Sequence, residues 1–193
     1  MPRRSWTFRV GALVAGLALV AACQGGDTET PSPDYMPTAT IKDLMQSTID
    51  QSADVVWLAV MSVHTDQGIV DTRPQGDEEW NTVRLGALAL AESANLLLMP
   101  GRRVARPGEK SETPGVELEP EEMDVLIAED REGWNQRARA LRSAALEALQ
   151  AIEAKDADTL FAVGEQIELS CEGCHSAYWY PNEIVPTVPA DVP

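Results

Sequence analysis

Between Ile41 and Trp179 the chain is built from runs in which apolar side chains recur every three or four residues, and each run is stopped by proline or glycine. That period belongs to helices with one buried face. The first run carries the stripe Ile41, Leu44, Met45, Thr48, Ile49, Ser52, Val55, Val56 and Ala59 and predicts helix A, about Ile41 to Val63. Thr40 is its N-cap, with Asp43 at the third helical position. The segment HTDQGIVDTRPQG breaks the pattern. Helix B is predicted from about Asp77 to Leu98, with acids in its first turn. Its stripe is Trp80, Val83, Ala87, Leu88, Ala91, Ala94 and Leu98, and MPG ends it. A loop over 101–118 opens with Arg102, Arg103, Arg106 and Lys110. Helix C starts at Pro120, a residue suited to the first helical turn, and runs to about Ala154. Helix D covers about Asp158 to Trp179 and stops at Pro181. No repeat and no convincing strand is visible. Four such helices in about 140 residues predict an all-α, antiparallel up-down-up-down four-helix bundle. In that order the end of D lies beside the start of A.

The first 22 residues stand apart from this domain. Arg3, Arg4 and Arg9 precede the short apolar run VGALVAGLALVAA, which at 13 residues is too short to span a bilayer of ~30 Å as a helix. This is the pattern of an export signal. LVAAC resembles a bacterial lipoprotein box, which implies that Cys23 becomes the lipidated first residue of the mature chain. The resemblance implies Gram-negative export, and Gln24 after the cysteine places the anchor at the outer membrane, facing the periplasm. Residues 23–37, rich in glycine, proline and acids, read as a tether. The bundle domain is assigned to 38–180, and 181–193 to a proline-rich extended tail. Loss of residues 1–22, which hold three arginines and no acids, takes the formal charge from −16 to −19. So anionic a surface disfavours nucleic acid as a partner and attracts cationic proteins.

Cysteine is rare here, yet two of the three fall in Leu169-Ser-Cys-Glu-Gly-Cys-His-Ser176, together with one of the two histidines. Cys171-Glu172-Gly173-Cys174-His175 has the C-x-x-C-H form of c-type haem attachment. On a helix, positions i, i+3 and i+4 share a face. Two thiols can then form thioethers with the two vinyl groups while the imidazole of His175 reaches iron as the proximal ligand. Other uses of these residues fit less well. A thioredoxin-like redox pair needs a βαβ setting. Structural zinc needs four ligands, and only His64 remains. A disulfide ignores His175. One lipid and two thioethers account for all three cysteines.

A C-x-x-C-H on the last of four helices resembles the class II c-type cytochromes, the cytochrome c-prime family, over about residues 38–180. The resemblance implies a four-helix bundle with one covalent haem among its helices, and a distal residue from helix A. Low-spin members carry a methionine early in that helix, and Met45 matches it. Met45 follows the start of A by about four residues and His175 precedes the end of D by about five, so their levels coincide in the antiparallel order. A methionine on an apolar stripe is otherwise ordinary core filler. His64 lies 19 residues from Met45, roughly 28 Å along the axis, and Met61 lies about 24 Å away. Met99 and Met123, at the haem end, remain rivals to Met45.

The chain departs from the family in having Ile41 and Lys42 where an arginine often precedes the distal residue, and no basic residue shortly after His175. Arg102, Arg103 and Arg106 follow helix B at the haem end and either neutralise haem propionates or form a solvated basic loop. Trp57, Trp80, Trp134 and Trp179, one per helix, read as core anchors, and Trp179 with Tyr178, following the haem histidine, also reads as a shield at the haem edge. The function implied is electron transfer through a His175/Met45-ligated haem, with basic redox partners. The alternative, with Met45 only packing, is a five-coordinate protein that binds NO or CO. A peroxidase would need a distal acid–base residue, and no histidine is placed for one. Members of the family often pair through helices A and B, so a homodimer is an expectation of the resemblance alone.

Overall fold

The structure, a computed structural model, describes residues 35–182. The export signal, Cys23, nearly all of the tether and the tail beyond Asn182 lie outside the described residues. Thr40 opens the first helix. Its hydroxyl accepts from the Asp43 N–H at 3.0 Å, and the Asp43 carboxylate accepts from the Thr40 N–H at 3.0 Å. This reciprocal box satisfies two of the donors that a helix start leaves unpaired. The helix then runs as three continuous pieces: α1 (Ile41–Leu44), a π-helical turn (Met45–Ile49) and α2 (Asp50–Ala59).

Helix A ends at Ala59, four residues before the predicted Val63, and the all-α expectation is corrected here. Ser62–Thr65 (β1) and Gly68–Asp71 (β2) form an antiparallel hairpin with Ser62 opposite Asp71 and His64 opposite Ile69. The turn needs Gly68, whose φ of +120° lies where side chains are strained. Every hairpin residue is exposed. With no buried face there is no apolar alternation to read, which is why the strands were invisible in the sequence. The described residues are thus mostly helical with one small two-stranded sheet.

α3 spans Asp77–Leu97 with three acids in its first turn. The predicted helix C is two helices, α4 (Pro120–Glu129) and α5 (Arg131–Glu153). The break is at Asp130, at φ −115° and ψ 49°, whose carboxylate caps α5 by accepting from the Gly133 N–H at 3.1 Å. A capping aspartate favours a fresh helix start over continuation. α6 covers Ala157–Tyr178, capped by Asp156.

α3 packs along α5, α5 along α6, and α2 against α3 and α6. Val56, Leu90, Ala145, Leu160 and Ile167 are fully buried where these faces meet. Burial of each large aliphatic side chain contributes roughly 1.5–3 kcal/mol. The α2–α3 approach depends on Gly86, because a Cβ there would stand 2.6 Å from Val55 Cγ1. Alanine favours a helix interior by about 1 kcal/mol over glycine. Overpacking in a tight core costs about 1–3 kcal/mol. Gly86→Ala is therefore expected to lower stability, read as a lower midpoint in chemical denaturation.

The tryptophans do not share one role. Trp80 and Trp134 are buried, and Trp134 Nε1 donates to Leu97 O at 2.8 Å. Trp57 is half-buried and bonds Gly164 O at 3.1 Å, joining α2 to α6. Trp179 is 38% exposed just past the end of α6, and is not a core anchor.

Candidate functional site

Cys171, Cys174 and His175 sit in the last two turns of α6, all half-buried. Two cavities open beside them. The larger, about 260 Å³, lies against Ile41, Val104, Met123, Ile127 and Trp179. The smaller, about 210 Å³, lies against Ile49, Leu97, Leu141, Arg137 and Cys171. Four residues line both: Met45, Asp50, Cys174 and His175. The start of the first helix and the end of α6 thus meet at one level.

The π-helical turn shapes this meeting. It begins at Met45, and the Asp50 N–H bonds Met45 O, five residues back. In an α-helix, residues five apart point about 140° away from each other. The wider turn brings Asp50 onto the face of Met45, and such single π turns often occur at functional sites. Nothing in the sequence signals it, so Asp50 was not among the predicted site residues. Asp50 is exposed at the cavity mouth, and partial desolvation there raises its carboxyl from the ordinary value, opposed by the nearby imidazole of His175 and reinforced by Asp54.

Burial also governs the α6 groups. The Cys171 thiol is pushed up to about 11, first by desolvation and then by Glu168, Asp50 and Glu172. Cys174 is pushed up to about 12 by desolvation, against the pull of Arg137. His175 is lowered by desolvation, although Glu172, Asp50 and Glu168 favour its charged form. A dithiol catalyst needs thiols lowered toward neutrality. These are shifted the other way. A neutral imidazole is the form that binds metal.

Of the four rival residues, His64, Met61 and Met99 are placed elsewhere or otherwise engaged. His64 is exposed on β1, and Met61 lies near the hairpin base. Met99 lines neither cavity, and its sulfur accepts from Arg102 Nη2 at 3.4 Å. Met123 lines only the larger cavity, whereas Met45 lines both.

Of the two readings of Arg102, Arg103 and Arg106, their contacts favour the loop over the site. Arg102 donates to Leu96 O at 3.1 Å and to Ala39 O. Arg103 pairs with Asp124 at 2.6 Å and Arg106 with Asp43 at 2.6 Å. They pin the 101–118 loop to the starts of α1 and α4, and none lines either cavity. The cations on the larger cavity are Lys42 and Lys110. Lys42 pairs with Glu112 at 2.7 Å, and Lys110 lies 3.6 Å from Glu119. Backbone bonds from Ile41 to Arg103 O and from Lys42 to Val104 O complete the attachment, each at 2.9 Å. An ordered loop this long usually serves a site.

Among the described residues, no group of three or more His, Cys, Asp or Glu side chains is arranged to hold a metal ion. Nor is any helix there long and apolar enough to cross a membrane. Two thiols and an imidazole thus share one wall of the smaller cavity, at the end of α6. No protein-family model, curated protein or solved structure matches the chain.

Proposed function

We propose that this chain is a c-type cytochrome that carries electrons. Its helical domain is read as an antiparallel four-helix bundle of the class II, cytochrome c-prime type. The observation that carries the reading is that Met45, Cys174 and His175 line the same two cavities, with Cys171 one turn away on α6. The donor set fits haem c. Cys171 and Cys174 would hold the haem through thioethers to its two vinyl groups, a linkage that needs no oxidant or reductant. In the folded chain desolvation pushes both thiols up, which disfavours disulfide exchange.

His175 supplies a neutral nitrogen to iron and Met45 a thioether sulfur. Lys42 and Lys110 are the cations near enough to the larger cavity to receive carboxylates. Bound haem supplies one-electron chemistry at iron, and methionine ligation raises its potential. Ile41, Val104, Ala105 and Ile127 give the larger cavity a buried apolar wall. The protein's part is to bind, orient and insulate. We place it on the periplasmic side of a Gram-negative outer membrane, held by lipid on Cys23, with basic redox proteins as partners. No enzymatic step is assigned.

A second reading rests on the apolar lining of the larger cavity. If Met45 only packs, that lining leaves room at a five-coordinate iron for NO or CO. The exported, haem-matured protein decides between them. Haem that resists acid–acetone extraction, with a ferrous spectrum unchanged by CO, is expected. Rapid CO binding would instead establish the gas-binding reading. Absence of covalent haem would remove both.

A further inference from the structure

His175 differs from most metal-binding histidines in how its ring is held. Such a ring ordinarily donates its second N–H to a carboxylate, carbonyl or water, which fixes its plane. Among the described residues no group hydrogen-bonds either nitrogen of this ring. Two aromatic rings meet it instead. Trp179 stands edge-to-face with the imidazole at 4.9 Å and 90°. Tyr180 meets it at 6.0 Å and 62°.

Both aromatics are fixed from outside the ring. The N–H groups of Trp179 and Tyr180 converge on His175 O at 2.8 and 3.1 Å, closing the end of α6 back onto the histidine. Trp179 O accepts from the Leu118 N–H at 2.9 Å, which ties it to the 101–118 loop. Tyr180 Oη donates to Glu172 Oε2 at 2.7 Å, one turn before His175. The indole remains 38% exposed, so its place is not explained by filling a core. It lies on the larger cavity beside His175.

We propose that Trp179 is a positioning residue for His175, fixing the plane of the imidazole through its edge-to-face contact and fixed in turn by the loop through Leu118. The inference rests on the haem reading above. Without the indole, the imidazole turns about its bond to the helix and presents more than one orientation to iron. Orientation and outer contacts of an axial ligand tune the metal.

The experiment uses the full exported chain, unsubstituted and as Trp179→Phe and Trp179→Leu. Phenylalanine keeps an aromatic ring, whereas leucine keeps apolar bulk without one. Covalent haem content is measured first, and a parent chain without it fails the haem reading and not the positioning. In the haem-loaded proteins, Trp179→Leu is expected to shift the one-electron equilibrium with a mediator about tenfold, a potential change of ~59 mV. Its low-temperature electron paramagnetic resonance spectrum should split into more than one low-spin species. Trp179→Phe should stay within about twofold of the parent with a single species, given the lower end of second-contact effects. Equal behaviour of the two variants, shifted or unshifted, overturns the proposal. Should a variant load no haem, the His175 ring proton resonances of the haem-free chain give the answer. They should change with leucine and be kept with phenylalanine, and equal shifts again overturn the positioning.

Discussion

Replacing Met45 by alanine is expected to turn a six-coordinate, low-spin haem into a five-coordinate, high-spin one that binds CO in the ferrous state. The reduction potential should fall by on the order of 0.1 V, a modest share of the ~0.8 V that axial ligands command. Packing alone does not predict this. Met45 is half-buried, so truncation should also lower stability, by less than the roughly 2–5 kcal/mol of a fully buried methionine. Met45→Leu separates the two effects. It conserves volume and costs less than about 1.5 kcal/mol. It removes the sulfur all the same, so it should reproduce the high-spin spectrum with near-parental stability. If both variants keep the parental spectrum, Met45 is not the ligand, and Met123 is the next residue to replace, since it alone of the rivals lines the larger cavity.

Replacing Cys171 and Cys174 together by serine should abolish covalent haem altogether. The expected readout is complete loss of haem to acid–acetone, with the helical circular dichroism retained. The helical frame should survive because neither thiol is paired and both are only half-buried. Cys171 lines only the smaller cavity and Cys174 both, so the single variants should differ. Each should keep one thioether and extract only after cleavage of that bond. Retention of non-extractable haem in the double variant would sink the attachment reading.

Much of the frame was legible because it rests on local rules. The stripes from Ile41, Trp80 and their successors located helices within a residue or two at most ends. The Thr40–Asp43 box is a sequence pattern that forms in the structure. Elsewhere local rules competed. Asp130 lies inside a continuous helical pattern, and only its capping bond to Gly133 shows that it restarts the helix. Tyr178 uses the same aspartate, donating to its carboxylate at 2.8 Å from α6. That long-range bond has no trace in either local pattern. The hairpin escaped because all of its side chains face water.

The arginines failed for a related reason. A basic cluster near the site invited an electrostatic role, but acids distant in sequence claim two of the side chains and backbone carbonyls claim the third. Asp43 lies 63 residues from Arg106, and Asp124 lies 21 from Arg103. Lys42 and Lys110 line the larger cavity instead.

By itself the sequence determined that two thiols and an imidazole share one face at the end of a helix, because i, i+3 and i+4 positions always do. It also determined which long segments are helical, because 3.6-residue periodicity is local. Tertiary structure alone decided what faces that triad. The π turn carries Asp50 round beside Met45, burial sets the protonation of the thiols and His175, and the pinned loop brings Trp179 against the imidazole. Met45 and Asp50 are only five residues apart and His175 and Trp179 four, yet a π turn, desolvation and the bond from a distant loop residue, Leu118, to Trp179 set these contacts, and residue spacing alone announces none of the three.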